Sequence, residues 1–142
     1  MSTKEKADNY REVVRYMENA SEILRTKAKK DDGYYQDRKY VKMASGTAYN
    51  AVLLAMETYL ASKGKAIVKP RKGRIDVDNY RRRVGTIDKK MLDLFNTTYN
   101  VLHLAGYYDG ELSAGVIREG MIAATEIINK IRPAGLAGIK VR

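Results

Sequence analysis

The chain has 142 residues, enough for one domain with a substantial core. Hydrophobic residues make up 44% and charged ones 31%, which excludes a disordered chain, and the absence of cysteine excludes disulfides and thiolate chemistry. The net charge of +10 is unevenly spread: residues 63–83 (KGKAIVKPRKGRIDVDNYRRR) hold nine Lys/Arg against two Asp, whereas residues 1–32 hold eight basic and seven acidic side chains.

The opening MSTKEKADNYRE has no apolar stretch of signal-peptide type, and no run approaches the roughly 20 apolar residues of a membrane span. These features predict a cytoplasmic protein without membrane contact. Residues 4–30 form the first predicted helix: Tyr10, Val13, Val14, Met17, Leu24 and Ala28 recur at three-and-four spacing. Ser2 followed by Glu5 fits a capping box, and Gly33 supplies the stop after KKDD.

A second helix is predicted over 37–63, capped by Asp37 and ended by Gly64. Its apolar surface is broad and crowded with Ala44, Ser45, Gly46, Ala48, Ala51 and Ala55, which places it centrally between close neighbours. Residues 64–76 carry Gly64, Pro70 and Gly73, show no period, and read as a long basic crossover loop. A third helix is predicted over 77–105, with Tyr80, Val84, Ile87, Met91, Leu94, Phe95, Thr98 and Leu102 on one stripe, broken at Gly106. The fourth spans 113–132 and stops at Pro133. The tail, 133–142, is too short and glycine-rich for another helix; its apolar Leu136, Ile139 and Val141 can dock on the bundle or on a second subunit. The only competing strand pattern lies in the last six residues. The expectation is an all-α, antiparallel four-helix up-and-down bundle formed by a single domain.

The chemistry-bearing residues are few. His103 is the only histidine, so metal ligands would have to be carboxylates. Glu57, Glu119 and Glu126 are scattered singly, no Glu-x-x-His pair exists, and no metal or cofactor is expected. Gly-rich phosphate loops, helix-turn-helix and zinc-finger patterns are missing too. The basic segment therefore supplies the phosphate-binding candidates: Lys69, Arg71, Lys72, Arg74, Arg81 and Arg82, with Tyr80 as a nearby aromatic.

Two Tyr pairs, in GYYQDRKY (33–40) and GYYDG (106–110), lie at predicted helix boundaries. Placed at one end of a bundle, they can line an aromatic pocket with His103, which makes Tyr35, Arg38, His103 and Tyr107 the ligand-binding candidates. If the chain is an enzyme, His103 is its general base, with Asp109, Tyr107 and Tyr108 as polar partners. Asp109 equally fits a cap on the fourth helix or an Asx-turn before Gly110.

YMENASEILRTKA, YYQDRKYVKMASGTAYNAVLLAMETYL and YNVLHLAGYYDG together resemble the HEPN-type helical bundles (higher eukaryotes and prokaryotes nucleotide-binding). They are similar also to a bacterial family of unknown function sharing Asp-Arg-Lys-Tyr and Leu-His-x-x-Gly-Tyr-Tyr-Asp-Gly elements; the likeness runs from about residue 7 to 131. The resemblance implies a homo-oligomer, a dimer first, and the basic loop would recruit an anionic partner, RNA or a nucleotide first. The HEPN nuclease motif, Arg then four to six residues then His, is not matched: Asn96, Thr97 and Thr98 occupy the required offsets before His103. The sequence thus points to a non-catalytic binding protein, with a His103-dependent ribonuclease or phosphodiesterase and a purely structural oligomer as the alternatives.

Overall fold

The computed structural model describes residues 1–141. It is mostly helical, with five α-helices and a two-stranded hairpin. α1 (Thr3–Ile23) starts at Ser2, whose Oγ accepts from the Glu5 N–H at 3.1 Å. One π-helical turn, Leu24–Ala28, follows α1, and the predicted stop at Gly33 is corrected: Lys29, at φ 53°, leaves the helix. Its N–H donates to the Leu24 carbonyl five residues back.

Gly33 instead serves a β-hairpin that the sequence reading did not anticipate. β1 (Lys30–Asp31) pairs antiparallel with β2 (Tyr34–Tyr35), Lys30 opposite Tyr35 and Asp31 opposite Tyr34. The two turn residues, Asp32 (φ 49°) and Gly33 (φ 83°), are both left-handed, as a type I′ turn requires. The hairpin backbone also holds the chain entering the last helix: Tyr35 N–H donates to Leu112 O and Ala114 N–H to Gly33 O.

α2 (Arg38–Ser62) is the central element, capped by Asp37 and packed against α1, the fifth helix and the π-helix described next. Its small-residue face, Ala44, Ser45, Ala48, Ala51 and Ala55, is fully buried within the chain. Gly64 closes α2 in a Schellman motif, with Lys65 N–H donating to Leu60 O and Gly64 N–H to Ala61 O.

The predicted third helix is three pieces. α3 (Val77–Gly85) begins at Asp76, and α4 (Lys89–Thr98) begins at Asp88, whose side chain accepts from Met91 N–H at 3.0 Å. Tyr99–Tyr108 then continues as a π-helix, marked by Asp109 N–H donating to Leu104 O. Ile87, placed on the apolar stripe by the sequence, is exposed in the α3–α4 break. α5 (Ala114–Lys130) is capped by Ser113, so Asp109 does not cap it. Among the described residues the four-helix count is therefore replaced by five α-helices, two π-helical segments and a hairpin.

The described part of the tail, 133–141, is not a strand. It crosses the gap between α1 and α5, where Tyr10 OH donates to Ala137 O at 2.6 Å. Asn129 grips Ile139 from both sides, donating from Nδ2 to its carbonyl and accepting its N–H at Oδ1. The alanines and Ser45 of the small-residue face of α2 are thus buried within the chain, Gly46 is half-buried, and Leu136, Ile139 and Val141 of the tail are half-buried against the core. No helix among the described residues is long and apolar enough to cross a membrane.

Candidate ligand cleft

The cleft begins with a stripe on α2 that borders its core face. Gly46, Tyr49, Asn50, Leu53 and Glu57 recur every three or four residues and so share one side of the helix. The π-helix supplies the second wall. An α-helix rotates a side chain five positions on by about 140° away, but the looser π-winding returns it to nearly the same face. Tyr108 consequently meets His103 edge-on at 5.2 Å between ring centres, while Tyr99 and Tyr107 flank the imidazole at 5.2 and 6.0 Å. Tyr49 reaches across from α2 and stacks on His103 at 4.7 Å.

Gly46 permits this closeness: a Cβ there would lie 2.9 Å from Tyr107 Cδ1. Gly106 does the same job behind the ring ladder, where a Cβ would collide with Ser45 Oγ. Ser45 Oγ is buried without a hydrogen-bond partner among the described residues, so this contact is held by fit alone.

The crossover loop forms the third wall, bringing Lys69, Pro70, Gly73, Arg74 and Ile75 over the stripe. The resulting cleft, open to solvent on one side, has a volume of about 520 Å³, in the range of ligand sites. Cations and aromatic rings, far apart in sequence, therefore line one cavity.

The electrostatics follow from burial and from this loop. Burial, then the Arg74 charge, pushes the His103 pKa below its usual value, which favours the neutral imidazole. Burial holds the Tyr49 phenol up. Burial, and then the Glu57 carboxylate, does so for Tyr80, whose OH donates to Glu57 Oε1 at 3.0 Å. Lys69 Nζ stands 3.9 Å from Glu57 Oε2, a long pairing from a well-exposed side chain.

The sequence candidates divide accordingly. His103, Tyr107, Lys69 and Arg74 line the cleft, and Tyr80 stands at its floor. Arg71, Lys72 and Arg82 are exposed and outside the lining. Arg81 is tied down, donating from Nε to Asn96 Oδ1 at 2.8 Å, pairing with Asp78 at 3.2 Å and lying 4.6 Å over the Tyr99 ring. Tyr108 touches His103 without lining the cavity. Asp109 is exposed beyond the end of the π-helix, and it neither lines the cleft nor hydrogen-bonds His103.

Tyr35 and Arg38 lie elsewhere. Tyr35 lines a separate hollow with Leu24, Ala114 and Met121. Arg38 lays its stem over Gly110 and donates from Nε to the Gly110 carbonyl at 3.1 Å. Sequence reasoning missed Gly46, Tyr49, Asn50 and Leu53 as wall residues and treated Glu57 only as an isolated carboxylate. The signal available was the 46-49-50-53-57 spacing, a second periodic stripe on a helix already assigned to the core. No group of three or more His, Asp or Glu side chains converges as a metal site among the described residues.

The family profile described as "Domain of unknown function (DUF5618)" matches residues 8–133. The chain belongs to this family. It is also similar to a solved protein of unknown function from Dyadobacter fermentans, at 42% identity over 92% of this chain and 97% of that one, with a TM-score of 0.77. The expected bacterial family of unknown function is in line with both matches. No curated protein matches the chain. The whole cleft lies inside the matched span.

Proposed function

We propose that the protein is a non-catalytic binding protein for a nucleotide, held with its phosphate at Arg74 of the crossover loop and its base along the aromatic side of the cleft. One observation carries this reading: Lys69 and Arg74 line the same cavity as His103, Tyr49 and Tyr107. Aromatic faces accept a base by stacking, and loop cations accept phosphate by charge-assisted hydrogen bonds. The likeness to HEPN-type bundles supports the same ligand class. Binding is favoured over general-base catalysis because four rings engage the imidazole and no carboxylate orients it among the described residues.

The lone histidine makes the test direct. Its imidazole proton signals are assigned by uniqueness, so 5′-mononucleotides are titrated against the protein by NMR and by calorimetry. Bound phosphate near Arg74 raises the His103 pKa, and Arg74→Ala weakens binding by about tenfold or more. Nucleosides without phosphate bind far more weakly. Absence of any nucleotide-dependent shift at His103 refutes the reading. RNA cleavage by the intact chain that disappears in a folded His103→Gln variant replaces it with the enzymatic alternative, for which the depressed imidazole pKa is the favourable sign.

A further inference from the structure

A cleft that takes an anion has little need of a carboxylate, yet Glu57 lines this one. It is not there to neutralise Lys69, whose 3.9 Å approach comes from a side chain 72% exposed. It is placed by Tyr80, which is buried and donates its hydroxyl to Oε1 at 3.0 Å. That bond fixes the carboxylate and uses one acceptor position; Oε2 has only the long 3.9 Å approach of the exposed Lys69, and its lone pairs can accept further donors. Glu57 stands two helical turns beyond Tyr49 on the α2 stripe, a rise of about 12 Å. Arg74 lines the same cavity as His103, which stacks on Tyr49, and its charge reaches the imidazole. The cavity thus has Arg74 near the imidazole, aromatic rings along the middle, and at the other end an anchored carboxylate with Lys69 beside it.

We infer that Glu57 makes the cleft selective for guanine among nucleotides, by accepting the paired N1–H and N2–H donors of the base. This rests on the nucleotide reading above and names the base. An ionised carboxylate only accepts hydrogen bonds. Guanine presents two adjacent donors on its Watson–Crick edge. Adenine and cytosine present a donor beside an acceptor, and uracil a single donor between two acceptors, so each places an oxygen or nitrogen lone pair against Glu57. A site built to pair donors rejects an analogue that lacks them, because its own polar group is then left unpaired.

The experiment compares GMP, IMP, AMP and dGMP by calorimetry on the intact chain. GMP binds at least about tenfold more tightly than AMP. IMP, which keeps N1–H but lacks the N2 amino group, falls between them, and dGMP matches GMP. Glu57→Gln keeps an acceptor for Tyr80 and brings the GMP:AMP ratio close to one. Equal affinity for GMP and AMP, or an unchanged ratio in Glu57→Gln, overturns the inference while leaving nucleotide binding intact. A large loss for dGMP also overturns it, since the carboxylate then reads the ribose hydroxyls. Should Glu57→Gln fail to fold, as thermal unfolding would show, the GMP, IMP and AMP ranking decides by itself. Failure of every nucleotide to bind removes both readings together.

Discussion

Tyr34–Tyr35 and Tyr107–Tyr108 stand in nearly the same surroundings, each pair preceded by glycine with aspartate close behind, and the backbone treats them in opposite ways. The first pair is a strand, held by main-chain bonds to β1 and to residues 112–114, with the Tyr34 ring out in solvent. The second pair ends a π-helix, and both of its rings meet His103. The glycines explain the divergence. Gly33 is there for its dihedral: at φ 83° it has open space around it, and any side chain would be strained but not crowded. Gly106 is there for its size, since its missing Cβ makes room for Ser45. One glycine shapes the chain and the other shapes the packing.

The comparison is broken most forcefully at Gly106. Gly106→Ala forces a methyl into Ser45 and close to Ile117 Cδ1 at 3.3 Å, and overpacking of this kind costs about 2–3 kcal/mol. Chemical denaturation measures the loss. Because the cause is steric, Ser45→Gly in the same chain restores part of it, and the ring contacts of His103 with Tyr107 and Tyr108 return with it. If the double variant is no more stable than Gly106→Ala, size is not what this glycine supplies.

At Gly33 the expected effect is smaller and of another kind. Gly33→Ala places a Cβ residue in the left-handed region at a cost of about 1–2 kcal/mol. No neighbouring truncation relieves it, whereas Gly33→Asn, a residue that tolerates this region, recovers much of the loss. Hydrogen exchange shows where the strain is released: the Tyr35 and Ala114 amides, bonded to Leu112 and Gly33, lose protection first. Equal stability of the Ala and Asn variants would mean that the dihedral is not what matters.

The same contrast explains what could be read in advance. Apolar stripes and caps were legible because local spacing sets them: Ser2, Asp37 and Gly64 act as their residue types predict. The α3–α4 break was hidden because Val84, Ile87 and Met91 keep helical spacing straight across it; only Asp88, three residues before Met91, betrays a new cap. The hairpin carries a usable signal, Asp32-Gly33, that reads equally well as a helix stop. The π-winding has no sequence signature of its own, since the close fit of Gly106 on Ser45 is tertiary. For the cleft, His103 and the basic loop were each visible, but their meeting depends on the path of a loop without periodicity. Tyr35 was grouped with Tyr107 on motif likeness alone, and the hairpin carries it to a different hollow.

The smallest effect sharpens the comparison at the ring ladder itself, through pH. His103 has its pKa lowered in the folded chain, by burial first and then by Arg74. The unfolded chain therefore takes up a proton near pH 6.5 while the folded chain does not. Stability is full above that pH and declines as the pH falls from about 6.5 toward the lower folded value, below which the decline from this group stops. Asp88 behaves separately. The Met91 N–H bond, and then Tyr59, which donates to Oδ2 at 2.9 Å, hold its carboxyl below the usual range. Its contribution is present above its unfolded value near 3.9 and is lost only as the pH drops through the still lower folded value. The upper window opens near pH 6.5 and the lower one only near 3.9, so urea denaturation at a series of pH values separates their onsets. His103→Phe keeps an aromatic ring against Tyr49 and removes the slope just below pH 6.5, while Asp88→Asn leaves that slope in place and flattens the acid limb. The Tyr34–Tyr35 end has no titrating imidazole and contributes nothing in the upper window. A slope that survives in His103→Phe would mean that the imidazole is not held neutral by its rings and by Arg74, and the electrostatic half of the cleft would have to be redrawn.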